Sequence, residues 1–248
     1  MTTQSRLSLY WLDPRNPREP FPPGERALRD PDGLLAVGGD LSVSRLLQAY
    51  RHGIFPWFNP DEPILWWTPN PRAVLYPAQL HVSRSLRRAV NRADYSVSFD
   101  RAFTAVLDGC SEGRREGTWL GPAMRQAYTE LFRRGYAHSI EIWRDGHLIG
   151  GLYGVALGKV FFGESMFSRA SNGSKLAMVW LCRQLEAWHY AVLDCQVASP
   201  HLERMGISRI ARNDFERILD SAIDDAPTPG GCWSFDIAVP DDPKHVAH

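Results

Sequence analysis

The clearest pattern of apolar and polar positions lies in the second half of the chain, where side chains alternate with a period of two. Three apolar segments follow one another there, at residues 139–143, 147–156 and 160–164. Two tight turns that contain glycine join them. Alternation interrupted by a pair such as Asp145-Gly146 is typical of antiparallel hairpins. The pattern therefore predicts a three-stranded antiparallel meander.

Helical spacing surrounds this meander, and one more apolar strand is predicted at 191–197. Apolar positions three and four apart, together with capping residues, predict helices between Ser42 and Gly53, over 81–91, 100–108, 122–134 and 174–188, and, after an Asn213 cap, over 214–223. Strands, a long helix and a returning strand indicate an α+β fold in which helices cover a sheet.

Prolines crowd the first third of the chain, with five of them before residue 24. Proline removes a backbone donor and fixes φ, so this part is predicted to be turn-rich and without long elements. The change of pattern near 110–135 predicts two domains, a smaller mixed one over 1–110 and a larger one over 111–248.

Polar groups interrupt two of the apolar strands. Glu164 follows an aromatic pair and a glycine, and Asp194 and Gln196 are two residues apart, so both project from one face of a regular strand. A buried acid or amide costs several kcal/mol (roughly 2–7) unless it is hydrogen-bonded. The three residues either tie down neighbouring groups or form a site, and the pattern favours neither.

Tryptophans in proline- and glycine-rich loops are a second unusual feature. Nine tryptophans are many for this length, and four of them lie in or beside such loops: Trp57, Trp66, Trp67 and Trp119. The helix predicted over 81–91 carries one cationic face, formed by Arg84, Arg87 and Arg88. Aromatic platforms beside arginines indicate binding of single-stranded nucleic-acid ends, whereas three arginines alone usually form a solvated face.

Length and composition limit the classes of protein that need consideration. The chain has 248 residues, 44% of them hydrophobic, with 28 basic against 28 acidic residues, so a polyanion would have to meet a local patch. No apolar run is long enough for a transmembrane helix, and the N-terminus lacks a signal-peptide core, which predicts a cytoplasmic protein without a membrane partner. The four cysteines show no C-x-x-C spacing and predict no metal site.

Two short motifs allow other functions to be considered. The sequence GGLYG at 150–154 lies in a predicted strand and is better explained by close approach of another backbone than by dinucleotide binding. The sequence GESMF at 163–167 lacks the closing glycine of a nucleophile elbow. A hydrolase using Ser165 or Cys195 with His201 is one alternative, and a non-catalytic RNA-binding module is another.

The helix over 174–188 carries an apolar stripe with two interpretations. Met178, Leu181 and Leu185 recur at helical spacing, which most often means core. In the functional interpretation this stripe lines a pocket for an apolar side chain together with residues of three neighbouring strands, namely Leu152, Met166 and Leu193. Sequence leaves both interpretations open.

Several blocks, in one order and nearly end to end, resemble the leucyl/phenylalanyl-tRNA–protein transferase family. The blocks are GLLAVGGDLS (33–42), AYRHGIFPWF (49–58), WWTPNPR (66–72), GTWL (117–120), HSIE (138–141), GGLYGV (150–155), FFGESMFS (161–168) and LDCQV (193–197). The sequence departs from the usual pattern only mildly, with Thr68 in place of serine and Leu120 in place of isoleucine.

The resemblance implies an aminoacyltransferase that moves leucine or phenylalanine from its tRNA to the α-amine of an N-terminal arginine or lysine. The product would enter the N-end rule degradation pathway. The resemblance also implies a C-terminal domain similar to the GNAT acyltransferase fold beside a smaller N-terminal domain, and it implies no cofactor. We expect the protein to act as a monomer. An apolar pocket separates side chains by only about 1–3 kcal/mol per methylene, so methionine should be tolerated.

The resemblance further assigns roles to the residues named above. In the family account Asp194 polarises the Gln196 amide, and the pair holds and helps to deprotonate the acceptor amine. Because an amide oxygen is weakly basic, we expect Gln196 to orient the amine with Asp194 as its electrostatic partner. Glu164 would bind an ammonium group of either substrate. The aminoacyl pocket would consist of Leu152, Met166, Met178, Leu181, Leu185 and Leu193. Trp57 and Trp119 would enclose the 3′ adenosine, and Arg84, Arg87 and Arg88 would contact tRNA phosphates.

Overall fold

A computed structural model describes residues 9–92, 94–112, 120–223 and 231–240 of the chain. Over these ranges the chain forms eleven strands in two sheets, seven α-helices and two short 3-10 turns at Gly24–Arg26 and Pro77–Gln79. None of the helices in the described ranges is long and apolar enough to cross a bilayer.

The smaller sheet has four short strands, all from the proline-rich part of the chain. They are β1 (Tyr10–Leu12), β2 (Leu34–Gly38), β3 (Phe55–Pro56) and β4 (Leu65–Trp67), in the spatial order β1-β2-β4-β3. The strands β1 and β2 run parallel and the remaining pairs are antiparallel. Trp66 is fully buried and donates its indole N–H to the Gly38 carbonyl at 2.9 Å.

The larger sheet has seven strands and contains the predicted meander. Its strands are β5 (Arg72–Leu75), β6 (Ser96–Phe99), β7 (Ala137–Arg144), β8 (His147–Leu157), β9 (Val160–Ser168), β10 (Val192–Gln196) and β11 (Ser208–Ile210). The spatial order is β11-β5-β10-β9-β8-β7-β6, and β9 and β10 are its parallel pair. The consecutive antiparallel pairing of β7, β8 and β9 confirms the meander.

The helices lie on both faces of the larger sheet and against the smaller one. They are α1 (Val43–Arg51), α2 (Arg84–Arg92), α3 (Phe103–Ser111), α4 (Pro122–Arg133), α5 (Gly173–Ala187), α6 (Pro200–Glu203) and α7 (Arg212–Ile223). The Ser42 cap of α1 is confirmed, since its Oγ accepts the Arg45 backbone N–H at 3.3 Å. The predicted Asn213 cap is wrong, because α7 already includes that residue.

Two buried clusters share the larger sheet, because alternate side chains along its strands enter opposite faces. Phe162 belongs to the cluster that also contains α1, α3, α4 and α7 residues, whereas Phe161 belongs to the cluster under α2 and α5. Trp233, from the segment 231–240, closes the second cluster. A sheet buried on both faces explains why its central strands are apolar almost throughout.

The α+β class is confirmed by these two sheets and their covering helices. Strands β5 and β6 precede residue 111 and nevertheless belong to the larger sheet. The predicted division into 1–110 and 111–248 stays a prediction.

Candidate active site

A pocket of about 160 Å³ lies where β3 of the smaller sheet faces the middle of β9 and the end of β10. One wall is formed by Phe55, Pro56 and Trp57, and the other by Glu164 together with the segment 195–197. The site therefore joins one residue of each interrupted strand, Glu164 and Gln196, to one of the loop tryptophans. These three residues belong to three of the blocks recognised in the sequence.

Glu164 is held by two buried tyrosines. Tyr50 of α1 donates to its Oε1 at 2.8 Å, Tyr128 of α4 donates to its Oε2 at 2.6 Å, and the two phenol oxygens are 3.0 Å apart. Burial raises the pKa of Glu164 from 4.5 to about 7, while the two phenol bonds counteract that rise. The carboxyl group is therefore poised to change protonation near neutral pH.

The two tyrosines were not predicted as site residues. Both are fully buried, and burial raises the pKa of each phenol well above its ordinary value, so both remain protonated donors. Tyr50 lies on the apolar face of α1 and Tyr128 on that of α4. The available signal was that a buried tyrosine hydroxyl usually finds a partner, which marks a polar group nearby without identifying it.

Asp194 forms a buried bidentate ion pair with Arg72 of β5. The Arg72 Nε donates to Oδ1 at 2.8 Å and Nη2 donates to Oδ2 at 2.7 Å, while Nη1 donates to the Gly53 carbonyl at 2.8 Å. Arg72 is 1% exposed and Asp194 is fully buried. The guanidinium carbon lies 5.0 Å from the ring centre of Phe55 and 4.7 Å from that of Phe215.

Gln196 follows a β-bulge at the end of β10. The pairing with β5 shifts between Asp194 and Gln196, so the alternation that predicted a shared face is interrupted at Cys195. Gln196 has φ of 55°, and its backbone N–H donates to Asp194 Oδ1 at 3.0 Å. Its side-chain Nε2 is buried and has no hydrogen-bond partner among the described residues.

The six residues predicted for the aminoacyl pocket lie together in the cluster under α2 and α5, and none of them lines the pocket beside Glu164. Five are almost fully buried, at 5% exposure or less: Leu152, Met178, Leu181, Leu185 and Leu193. Met166 alone of the six is partly buried. Contact of these residues with an aminoacyl group stays a prediction.

Trp57 is 49% exposed, at the mouth of the pocket. Its ring centre lies 5.7 Å from that of Trp67, whose indole N–H donates to the Trp57 carbonyl at 2.6 Å. About half of the Trp57 side chain is therefore accessible to solvent, and stacking on a base requires an accessible aromatic surface. Trp119, its predicted counterpart, lies outside the described residues.

The cationic face predicted on the second helix is present on α2. Arg84, Arg87 and Arg88 are all exposed, while Leu86 and Val90 of the same helix are buried. Across the described ranges, no carboxylate forms an ion pair with these three arginines. An exposed and unneutralised set of this kind can bind phosphates, and contact with tRNA stays a prediction.

The residues of the alternative hydrolase do not form a nucleophile–base pair in the described part of the chain. Burial raises the pKa of the Cys195 thiol well above its ordinary value, which keeps it a weak nucleophile. The His201 Nε2 has no hydrogen-bond partner among the described residues, and burial lowers the pKa of its ring. Nucleophilic catalysis would require such a bond.

The pocket thus combines a carboxyl group that titrates near neutrality, an amide and an exposed indole. This set can bind an ammonium group, orient an amine and stack an aromatic base, and none of these tasks requires a protein nucleophile. Over the described ranges, no three side chains of metal-binding type come together.

Two family sequence profiles match the chain. Residues 74–220 match the profile described as leucyl/phenylalanyl-tRNA protein transferase, and residues 39–70 match the profile of its N-terminal domain. The N-terminal match ends at residue 70, shortly before β5, and the other begins at residue 74, within that strand.

Curated relatives match over most of their length. The leucyl/phenylalanyl-tRNA–protein transferase of Alkalilimnicola ehrlichii is 54% identical over 231 residues, covering 92% of this chain and 89% of the relative. Proteins of the same name from Pseudomonas fluorescens and Thiobacillus denitrificans are 52% and 55% identical over 218 residues, which cover 87% of this chain and 96% and 95% of the relatives.

Solved structures show a weaker likeness. A GCN5-related N-acetyltransferase from Kribbella flavida aligns with a TM-score of 0.36 at 14% identity, covering 65% of this chain and 58% of that one.

Proposed function

The chain belongs to the leucyl/phenylalanyl-tRNA protein transferase family, and we propose that it transfers leucine or phenylalanine from aminoacyl-tRNA to the α-amine of an N-terminal arginine or lysine. The tagged protein would then enter the N-end rule degradation pathway. The observation that carries this proposal is the pocket in which Glu164, Gln196 and Trp57 meet. We further propose that the protein acts as a monomer in the cytoplasm.

The reaction is an aminolysis of an ester. The acceptor nitrogen attacks the ester carbonyl carbon, a C–N bond forms, and the C–O bond to the terminal ribose breaks. The nitrogen loses a proton and the ribose oxygen gains one, so no oxidant or cofactor enters the balance. Since an ester is already activated, much of the acceleration can come from holding the two substrates together.

Glu164 is proposed to bind the ammonium form of a substrate amine and to accept a proton as the amine becomes neutral. Its pKa of about 7 supports this role, because the carboxyl group is partly ionised at neutral pH. Tyr50 and Tyr128 occupy one side of each carboxylate oxygen, which fixes the group and leaves its remaining lone pairs for the pocket.

Gln196 is proposed to orient the attacking amine through its amide oxygen. An amide oxygen is weakly basic, so the residue acts by placing the nitrogen against the ester. Asp194 contributes through the backbone hydrogen bond that tethers Gln196 to the buried ion pair.

We propose that Met166 contacts the aminoacyl side chain and that the five other predicted pocket residues form the packed wall behind it. The partial exposure of Met166 supports the first point. A flexible thioether adapts to leucine, phenylalanine or methionine side chains, because methionine fills irregular apolar space. Phe55 adds apolar surface to the pocket itself.

The tRNA is proposed to bind along two surfaces. Trp57 stacks on the terminal adenine, with Trp119 as its predicted counterpart, and the arginine face of α2 contacts phosphates. Stacking contributes about 1–3 kcal/mol per base, while phosphate contacts add affinity without base identity.

A single assay tests the proposed function. Leucyl-tRNA is incubated with the protein and an arginine-starting peptide, and the peptide is analysed by mass spectrometry, with the N-acetylated peptide as matched control. The expected product is the leucine-extended peptide, formed only from the free amine. Release of leucine that does not depend on peptide would indicate a hydrolase, and binding of tRNA without any product would indicate an RNA-binding module.

A further inference from the structure

We infer that Arg72 is a positioning residue for transfer: it neutralises Asp194 and fixes that carboxylate as the backbone acceptor that sets the position of Gln196. This inference rests on the proposed function and deepens it. It assigns Asp194 a geometric task, where the resemblance implied an electrostatic one on the side-chain amide of Gln196.

The first argument is the occupancy of the Asp194 oxygens. Oδ1 accepts from Arg72 Nε and from the Gln196 backbone N–H, and Oδ2 accepts from Arg72 Nη2. The guanidinium is itself held by the Gly53 carbonyl and lies between two aromatic rings. A carboxylate fixed in this way by a fully buried fork cannot turn towards another donor without breaking the ion pair.

The second argument is the state of the Gln196 side chain. Its Nε2 has no hydrogen-bond partner in the described ranges, so Asp194 does not polarise the amide by a direct bond. The backbone N–H of Gln196 is what Asp194 binds, at 3.0 Å. The link between the ion pair and the pocket therefore runs through the main chain.

The third argument is the backbone of Gln196. A φ of 55° in a residue with a side chain is strained and persists only where its surroundings hold it. The register shift between Asp194 and Gln196 supplies the extra residue that allows this turn. The hydrogen bond to Asp194 stabilises the turn, and the turn places Gln196 in the lining of the pocket that contains Glu164.

Replacing both Arg72 and Asp194 by neutral side chains of similar shape tests whether transfer needs the geometry of this pair or its charge. Asp194→Asn keeps an Oδ1 that can accept the Gln196 N–H. Arg72→Met keeps a long flexible side chain that fits between the rings of Phe55 and Phe215. Each single variant leaves one buried charge without its partner, whereas the double variant R72M/D194N contains neither charge and so leaves none unpaired.

The expected result is a strong coupling between the two changes. We expect each single variant to lower kcat for leucine transfer about 100-fold or more, and the double variant to recover to within about tenfold of wild type, with KM for leucyl-tRNA changed by about threefold at most in all three. Circular dichroism and Tm establish that each variant is folded. A folded double variant as slow as Asp194→Asn would overturn the inference, because the negative charge itself would then be required.

A measurement on the wild-type protein keeps the test independent of variant folding. Amide hydrogen exchange followed by NMR is expected to show the Gln196 N–H exchanging at least about 100-fold more slowly than a free amide, since its acceptor is buried. Exchange at the free rate would overturn the inference. Failure of the proposed function differs from both of these contrary results, the slow double variant and the fast amide exchange, because wild-type protein would then form no extended peptide.

Discussion

At the scale of single residues, Glu164 determines how the reaction should depend on pH. Burial raises its pKa to about 7, and the proposed role needs the ionised form. The value of kcat/KM for the acceptor peptide, which reports the pKa of the peptide-free enzyme, is therefore expected to rise with pH through about 7 and to fall about tenfold per unit on the acidic side. The measurement is kcat/KM for the peptide between about pH 5.5 and 8.5.

The matched variant for this profile is Glu164→Gln, which keeps the shape and removes the ionisation. It should be slow at every pH, and its profile should lack the step near 7. If the pH profile of Glu164→Gln still rises near pH 7, as in wild type, another group, such as the acceptor amine, controls the profile.

Tyr128→Phe tests the pKa of the Glu164 carboxyl group by removing one of its two hydrogen-bond donors. The Tyr128 phenol donates to Glu164 Oε2 at 2.6 Å and lowers the pKa of the carboxyl group. A hydrogen bond to a charged group contributes about 1.5–3 kcal/mol, so its loss should move the midpoint of the pH profile upward by about 1–2 pH units.

The control for this change is Tyr95→Phe. Tyr95 is a buried tyrosine whose hydroxyl donates to the Val90 carbonyl. Its removal should leave the midpoint where it is in wild type. Equal midpoints in all three proteins would show that the phenol of Tyr128 does not stabilise the reacting carboxylate.

Sequence could identify the polar residues of the site but not their partners. Glu164 and Asp194 stood out because they interrupt apolar strands. Tyr50 lies 114 residues before Glu164 in the chain, and Arg72 lies 122 residues before Asp194. Nothing in the local sequence pattern connects such distant positions. The left-handed turn at Gln196 was equally hidden, because a bulge depends on the pairing of two strands.

At the scale of elements, the exposed face of α2 should control the ionic part of tRNA binding. Replacing Arg84, Arg87 and Arg88 by glutamine removes three cations that no described carboxylate neutralises. Each lost phosphate contact reduces the slope of log K against log salt concentration by about 0.7–0.9, so the total change should be about 2. Filter binding of leucyl-tRNA across a salt series measures this slope.

A triple variant on other helices is the control. Arg133 of α4, Arg134 directly after that helix and Arg217 of α7 are exposed arginines that already pair with neighbouring acids. Their replacement by glutamine should leave the slope within about 0.5 of wild type. If both triple variants flatten the slope equally, the effect comes from net charge and α2 is no specific tRNA surface.

Element prediction succeeded where periodicity extended over many residues. Strands β7 to β9 and helix α5 were located to within a few residues, because their apolar patterns are long and end in turns or caps. Strands β5 and β6 were missed, since each has four residues and β5 lies between Pro71 and Pro77. Short strands acquire their structure from the neighbours with which they pair.

At the scale of the whole molecule, a second buried carboxyl group links stability to pH. Glu141 of β7 is fully buried, and burial raises its pKa from 4.5 to about 7 although two serine hydroxyls and a backbone N–H donate to it. Because the pKa in the folded state lies above the ordinary value, this group stabilises the fold below about pH 4.5, and that contribution is lost as pH rises through 7.

Urea unfolding of wild type and Glu141→Gln at pH 5 and pH 8 isolates this contribution. The stability of wild type relative to the variant should fall by about 2 kcal/mol between the two pH values. The other titrating groups are common to both proteins and cancel in the difference. A difference that stays constant between pH 5 and pH 8 would contradict the raised pKa.

The assembly of the site follows from the topology of the whole chain. The parallel neighbours β9 and β10 bring Glu164 and Gln196 into one pocket, and Trp57, directly after β3 of the smaller sheet, lines the opposite wall. The α+β class was predictable from the order of the elements. The strand order was not, because it depends on pairings between segments that are far apart in the chain.

The most direct test of the central claim is the single-turnover rate of leucine transfer by Gln196→Ala. With saturating leucyl-tRNA and arginine-starting peptide, we expect a rate about 100-fold below wild type, while Kd for leucyl-tRNA stays within about twofold. Gln126→Ala, which truncates an exposed glutamine on α4, should react at the wild-type rate. Equal rates for Gln196→Ala, Gln126→Ala and wild type would contradict the account.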